Sequence, residues 1–243
     1  MIPWREIARA TVPGESAPLV LSQHDREFVL RIGAGVLMSS ASHGSEEALA
    51  ERALAPLEGR DAARVLVGGL GMGFTLAAAL HRLPTDAEVT VCELIPEIIE
   101  WNRGPLAHLA LRPLEDPRVR VRPGDVAEEI RARAAAYDAI LLDVDNGPNG
   151  LTRASNDRLY SLEGLRAAHR ALRPGGVFGV WSVAPDREFS RRLVEAGFGV
   201  EEQGIAARRT RGGRHTLWVA TRGARAAGPA KRGPSTRPGS RRS

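Results

Sequence analysis

Four of the six residues that follow the apolar run Val65–Val67 are glycines. A second apolar segment, Thr75–Leu83, comes directly afterwards, so the pattern predicts a buried strand, a tight turn and a helix. Such a turn lets a ligand approach the backbone at a helix start, where N–H groups are free. The glycines that we predict to bind a nucleoside cofactor are Gly68, Gly69, Gly71 and Gly73.

Three acids, Glu93, Asp125 and Asp143, stand at the ends of the next predicted strands. Ligands of open α/β sheets bind at the carboxyl ends of the strands, so these side chains describe a nucleoside pocket. Glu93 can accept hydrogen bonds from both ribose hydroxyls, although the helix dipole would also favour an acid there. Asp125 could accept the adenine amino proton, with the Val126 N–H on a ring nitrogen. Asp125 could equally cap the following helix, and the two roles can coexist.

Asp143 is the acid with the clearest chemical role. A sulfonium cofactor already carries a neutral thioether as its leaving group, so the protein must orient a nucleophile and take up its proton. We therefore predict Asp143 to be the base for an amine nucleophile, with a solvated acidic loop as the alternative interpretation. The predicted substrate-binding residues are Asp145, as the anchor for an ammonium group, Asn146 and Tyr160.

Alternating strands and helices after Arg64 predict a parallel sheet with helices on both faces. Before it, Leu19–Ser22 and Phe28–Ile32 predict a hairpin, and residues 45–57 predict a helix with Ser45 as N-cap and two acids in its first turn. We expect a short N-terminal β segment with a helix over residues 1–58, the main domain over 59–222 and a disordered basic tail over 223–243. The predicted helices of the main domain are Thr75–Leu83, one opening with Pro96–Asn102, Val126–Ala135, Leu162–Leu172 and Asp186–Ala196.

The positive charge of the chain is concentrated at its C-terminus. The formal net charge is +5, but residues 222–243 hold seven basic residues and no acids, which leaves 27 basic and 29 acidic residues elsewhere. The single cysteine, Cys92, excludes an intramolecular disulfide, and the six histidines show no metal-ligand spacing. We therefore expect no metal, a cytoplasmic location and no membrane association. A solvated extension explains the tail better than nucleic-acid binding does.

The loop Gly69-x-Gly71-x-Gly73 resembles the S-adenosylmethionine loop of class I methyltransferase-fold enzymes. From about Leu37 to Gly223, the chain resembles the spermidine synthase family, the aminopropyltransferase branch of that fold. The resemblance implies a mainly parallel Rossmann-like sheet, with Glu93 on ribose, Asp125 at adenine and Asp143 as the group that deprotonates an amine. The other segments that carry it are 92–97, 116–125, 137–143 and 172–177.

The expected reaction is transfer of an aminopropyl group from decarboxylated S-adenosylmethionine to a small amine of the polyamine type. The alternative is a small-molecule methyltransferase that uses intact S-adenosylmethionine, because Gly71 stands where the family usually has an aspartate. A third hypothesis is a non-enzymatic module that binds a nucleoside or nucleic acid. The acceptor and the oligomeric state, a homodimer included, stay open.

Overall fold

The computed structural model describes residues 3–144, 158–206 and 214–223, with backbone only at residues 206 and 214. The first sheet is antiparallel, with its strands in chain order: β1 (Arg5–Ala10), β2 (Leu19–His24), β3 (Glu27–Ile32) and β4 (Gly35–Ser39). The predicted hairpin is confirmed as β2 and β3. The sequence analysis missed β1. Among the described strands it pairs with β2 alone, and three of its six residues are exposed, so it has little of the apolar pattern of a buried strand.

The second sheet has seven strands in the order β10-β11-β9-β8-β5-β6-β7. Five neighbouring strands, β9, β8, β5, β6 and β7, run parallel to one another. Strand β11 pairs antiparallel with both β9 and β10. From β5 the chain builds outward to β6 and β7, and it then returns to place β8 on the other side of β5. The sheet therefore has its topological switch point at the carboxyl end of β5, where such folds bind ligands. Its strands are β5 (Arg64–Gly68), β6 (Glu88–Glu93), β7 (Val119–Pro123), β8 (Tyr137–Leu142), β9 (Leu172–Ser182), β10 (Phe198–Ala206) and β11 (Arg214–Arg222).

Six α-helices and two short 3-10 helices, Ala55–Leu57 and Pro113–Glu115, accompany these strands in the described part of the chain. Within that part, no helix is both long enough and apolar enough to cross a lipid bilayer. The α-helices are α1 (Gly44–Leu54), α2 (Phe74–Arg82), α3 (Pro96–Arg103), α4 (Val126–Arg131), α5 (Leu162–Ala171) and α6 (Arg187–Glu195).

Three predicted element boundaries are wrong. Ser45 is not the N-cap of α1, because the helix begins at Gly44. His43 takes the cap position, and its side chain forms no capping hydrogen bond. Helix α4 ends at Arg131 rather than Ala135, since the chain turns back there and the Ala135 N–H donates to the carbonyl of Arg170. Strand β9 begins at Leu172, which the sequence analysis placed at the end of the preceding helix.

Alternating side chains of the second sheet divide the interior between its two faces. Val65 and Val67 of β5 belong to one hydrophobic cluster, whereas Leu66 between them belongs to the other. Helix α1 packs against α2 and β9 in the first cluster. The approach to β9 is close, since a Cβ on Gly179 would lie 2.9 Å from the Cβ of Ala53. The first turn of α1 is consequently held beside the carboxyl ends of the central strands.

Candidate active site

Gly68 and Gly69 form the turn that ends β5, and the surrounding chain requires glycine at both positions. A Cβ on Gly68 would lie 2.8 Å from side-chain atoms of Leu142 and Val126. Gly69 has a φ of +86°, and a Cβ there would lie 2.3 Å from the carbonyl oxygen of Asp143. The end of β5 therefore lies in direct contact with the end of β8. A residue larger than glycine at either position would prevent this contact.

Gly71 and Gly73 complete the turn in left-handed conformations, with φ of +52° and +85°. The Asn102 side-chain amide donates to the carbonyl of Gly71 over 2.8 Å, which ties the loop to α3. Gly73 occupies the N-cap position of α2. The loop is thus held from both sides, and the start of α2 is directed at the carboxyl edge of the sheet.

Glu93 is buried at the end of β6, with 6% of its surface exposed. One carboxylate oxygen accepts a hydrogen bond from the Leu70 N–H and the other from the Ile95 N–H, each over 2.9 Å. The side chain therefore supports both the glycine loop and the entry to α3. Each carboxylate oxygen has a second lone pair, so these bonds are compatible with the predicted ribose contact.

Asp125 is the N-cap of α4, since its carboxylate accepts a hydrogen bond from the Ala127 N–H over 2.8 Å. Together with Val126 it also borders the cavity described below. Capping, the alternative that the sequence left open, is therefore present, and the predicted adenine contact is compatible with it. A cap fixes the carboxylate at the helix start and leaves its other oxygen for a ligand.

Asp143 follows the last residue of β8 and is partly buried. The Thr75 hydroxyl donates a hydrogen bond of 2.6 Å to one of its carboxylate oxygens. Desolvation by burial and, to a smaller extent, the negative charge of Glu46 raise the pKa of Asp143, the Thr75 hydrogen bond lowers it, and the net result is a pKa of about 7. Within the described ranges, no arginine, lysine or histidine forms an ion pair with this carboxylate. The pKa of this carboxyl group is therefore near neutrality, the range that a group exchanging protons at pH 7 requires.

Glu46 is the site residue that the sequence analysis missed, because it was read only as an acid in the first turn of a helix. Its side chain is 95% buried, and the Ser45 hydroxyl donates to it over 2.5 Å. Burial raises the pKa of Glu46 despite that hydrogen bond. The sequence pattern could not show which of the two adjacent acids is buried. In the structure the neighbouring Glu47 is the half-exposed one, and it pairs with His43 at 2.8 Å.

One cavity of about 1040 Å³, its open mouth included, brings these groups together at the switch point. Gly69 and Gly71 border it, whereas Gly68 and Gly73 do not and serve the turn itself. No arginine, lysine or histidine is among the described residues that line the cavity. Its acidic lining residues are Glu46, Glu93, Asp125 and Asp143, and its main apolar ones are Leu19, Leu30, Ile32, Leu37, Met38 and Trp181. The shape and the charge suit a ligand that is partly apolar and positively charged.

The spermine/spermidine synthase domain profile matches residues 43–188. The chain belongs to this family. Its relatives include the polyamine aminopropyltransferases of Mycobacterium tuberculosis, 36% identical over 129 residues, and of Hyperthermus butylicus, 28% identical over 205 residues. The alignments cover 51% and 76% of this chain, but only 24% and 64% of those relatives. This chain therefore spans about a quarter of the first and under two thirds of the second.

The family fold is also seen in solved structures. Spermidine synthase from Thermotoga maritima superimposes with a TM-score of 0.73 at 20% sequence identity, covering 91% of this chain and 74% of that one. An identity this low shows the fold alone. The predicted fold class, a mainly parallel Rossmann-like sheet preceded by a β segment, is confirmed.

Two predicted substrate-binding residues, Asp145 and Asn146, lie outside the described residues, as does the chain beyond Gly223. The third, Tyr160, is not placed at the cavity. Only 2% of its surface is exposed, and its ring packs edge-to-face on Phe189 at 5.5 Å in the second hydrophobic cluster. Proximity in sequence to Asp143 was therefore a poor guide, since the chain carries Tyr160 into the core.

Two further features concern metal-binding and nucleophilic side chains. Among the described residues, no three or more histidine, cysteine, aspartate or glutamate side chains are arranged to hold a metal ion. Cys92 borders the cavity from β6, and desolvation raises the pKa of its thiol to about 12. The thiol is thus neutral near pH 7, and the carboxylates are the groups available for proton transfer.

Proposed function

We propose that this chain transfers an aminopropyl group from decarboxylated S-adenosylmethionine to a small amine. The observation that carries the proposal is the cavity at the switch point, which four carboxylates line and no described basic side chain enters, in a member of this family. Both proposed ligands are cations, a sulfonium and an ammonium. An acidic cleft with low-dielectric walls attracts such ligands and raises their local concentration.

The adenosine end of the co-substrate fits the side of the cavity nearest β6 and β7. We assign the ribose hydroxyls to Glu93, whose carboxylate is already fixed by two backbone N–H groups. The adenine amino group is assigned to Asp125, with the Val126 N–H toward the ring. Gly69 and Gly71 allow the ligand to approach the backbone closely. The bound co-substrate supplies an electrophilic carbon attached to a sulfonium.

Asp143 accepts the proton in the proposed reaction. The amine nitrogen forms a bond to the carbon attached to sulfur, the carbon–sulfur bond breaks, and its electron pair leaves on a neutral thioether. The amine loses one proton, which passes to the ionised Asp143 carboxylate. A carboxyl group whose pKa lies near 7 can accept this proton and release it to water at neutral pH.

Calorimetry with decarboxylated and intact S-adenosylmethionine side by side tests this proposal, together with product analysis in the presence of 1,4-diaminobutane. We expect preferential binding of the decarboxylated compound and formation of 5′-methylthioadenosine. A preference for the intact compound, with S-adenosylhomocysteine as product, would establish the methyltransferase alternative. The absence of any acidic residue in Gly68–Gly73 is the observation that favours that alternative.

The basic tail provides a separate test of the third hypothesis. Removal of residues 223–243 deletes most of the C-terminal basic cluster and none of the cavity lining that the structure describes. We expect transfer activity to survive this truncation. Loss of transfer together with loss of a salt-sensitive affinity for nucleic acid would instead assign the function to the tail.

A further inference from the structure

Glu46 occupies a position that helix stability does not explain. An acid in the first turn of a helix interacts favourably with the dipole whether or not it is buried. Glu47, one residue later, has this interaction while remaining half-exposed and paired with His43. Glu46 is instead 95% buried in the cavity that also holds Asp143. Burying a carboxylate beside a second carboxylate is costly unless a cation joins them.

The described surroundings of Glu46 contain no such cation in contact with it. The Ser45 hydroxyl donates one hydrogen bond to a carboxylate oxygen. A backbone hydrogen bond of Glu46 and the charge of His43, which is bonded to Glu47, also lower the pKa of Glu46, but burial outweighs them. The charge of Glu46 in turn raises the pKa of Asp143. Two carboxylates therefore reach the cavity from different elements, and neither forms an ion pair with a basic side chain of the described residues.

We propose that Glu46 and Asp143 together form the seat for the primary ammonium group of the acceptor, with Glu46 as the residue that selects a cationic amine. This proposal rests on the proposed function, because it names a second binding group for the same acceptor. Glu46 holds the ammonium group of the entering amine. Asp143 takes one proton from that group, and the nitrogen lone pair that this frees then attacks the carbon attached to sulfur, whose bonding electrons leave on the thioether. The two acids then differ in role, one in binding and the other in chemistry.

The apolar residues that line the same cavity are consistent with the hydrocarbon part of such an acceptor. Leu37 and Met38 of β4 and Trp181 at the end of β9 border it. Trp181 is 92% buried, and its indole nitrogen has no hydrogen-bond partner among the described residues. A buried donor of this kind normally meets an acceptor atom, which a water or the lone pair of an unprotonated amine nitrogen can supply. The cavity therefore suits an amine that also has a hydrocarbon part.

The test compares Glu46→Gln with Glu47→Gln, which removes the neighbouring acid on the exposed side of the same helical turn. Binding of 1,4-diaminobutane is measured by calorimetry on protein saturated with 5′-methylthioadenosine, and KM and kcat are measured for the same amine. We expect Glu46→Gln to weaken amine binding and raise its KM by about 10- to 100-fold, the effect of losing one charge-assisted hydrogen bond. Affinity for the adenosyl ligand should stay within about twofold, and Glu47→Gln should leave both affinities unchanged.

Three results would overturn the proposed seat: unchanged amine affinity in Glu46→Gln, equal losses of amine and adenosyl affinity, or failure of the wild-type protein to bind the amine. Thermal unfolding of both variants shows whether a loss reflects misfolding, and in that case Glu46→Asp must retain amine binding or the seat is rejected. Failure of the proposed function gives a different result. The wild-type protein would bind the amine in a Glu46-dependent manner and yet form no aminopropyl product.

Discussion

Strand β8 has an aspartate near each end, and the structure surrounds the two differently. Asp138, near the amino end, is fully buried. Arg60 and Arg173 lie 2.9 and 2.8 Å from its two carboxylate oxygens. The Arg64 N–H also donates to it over 2.8 Å. Its negative charge is thus compensated by two cations and a backbone amide.

Asp143, directly after the carboxyl end of β8, has a hydroxyl and another acid as its neighbours. Thr75 donates one hydrogen bond, and the charge of Glu46 opposes ionisation. The contrast teaches how to separate structural from functional acids within one element. A buried carboxylate with matched cations stabilises the fold, whereas one without them keeps a raised pKa and is available to a ligand.

The largest expected effect is on catalysis at Asp143. Asp143→Asn keeps the shape of the side chain and removes its ability to accept a proton. We expect kcat for aminopropyl transfer to fall about 10²- to 10⁴-fold, the typical contribution of a general base. Steady-state kinetics at saturating amine checks this. Turnover within twofold of wild type would mean that a group other than Asp143 accepts the proton of the amine.

Asp138→Asn should act on stability instead. Removing this charge leaves two arginines without their shared partner, and we expect the free energy of unfolding to fall by about 2–4 kcal/mol. The estimate lies at the lower end for buried pairs because both arginines are partly exposed. Urea denaturation measures the change, and kcat of the folded fraction should stay near wild type. An unchanged denaturation midpoint would show that Asp138 does not stabilise the fold.

The ionisation of Asp143 should make the free energy of unfolding fall as the pH rises. Its native pKa of about 7 lies above the ordinary value of about 4 in an unfolded chain, so the native state binds the extra proton between these pH values. Its contribution to stability is then complete below about pH 4 and is lost as the pH rises through 7. Asparagine does not titrate, so Asp143→Asn removes this pH-dependent loss of stability.

We therefore expect Asp143→Asn to match wild type near pH 4 and to be more stable at pH 8 by about 2–4 kcal/mol, because three pKa units at about 1.4 kcal/mol each set the upper end of this range. Urea denaturation of both proteins at the two pH values provides the measurement. Equal stability at pH 8 would show that the Asp143 carboxylate has a counter-charge in the native protein.

The smallest effect concerns the influence of Glu46 on Asp143. Removing a like charge lowers the pKa of a neighbouring carboxyl group. Glu46→Gln should consequently shift the acidic limb of the pH profile of kcat for aminopropyl transfer to lower pH, whereas Glu47→Gln should leave it in place. An acidic limb that does not move in Glu46→Gln would show that the two carboxylates are electrostatically independent.

Much of the second sheet could be predicted from the sequence because its signals are local. Apolar runs, the glycine turn and acids at strand ends identified β5, α2 and β6 and placed Glu93, Asp125 and Asp143 at one edge. The parallel order of the strands brings such ends together without any tertiary detail. The N-terminal strand β1 was missed because an exposed edge strand needs little apolar patterning.

The burial of Glu46 and of Tyr160 could not be predicted from the sequence, because it depends on tertiary contacts. Glu46 faces the cavity because α1 packs against α2 and β9, which a helix-start pattern does not encode. Tyr160 packs against Phe189 of α6, an element far along the chain. In each case, contacts between distant segments decide what the side chain touches.

Direct titration of the Asp143 carboxyl carbon by NMR is the most decisive measurement, using protein labelled with ¹³C at the aspartate carboxyl groups and Asp143→Asn for assignment. We predict a midpoint near pH 7 in the free protein, and a lower midpoint once 1,4-diaminobutane is bound. A midpoint near the ordinary aspartate value of about 4 in the free protein would contradict the central claim. The negative charge of Asp143 would then be stabilised in the native protein by groups other than the Thr75 hydroxyl.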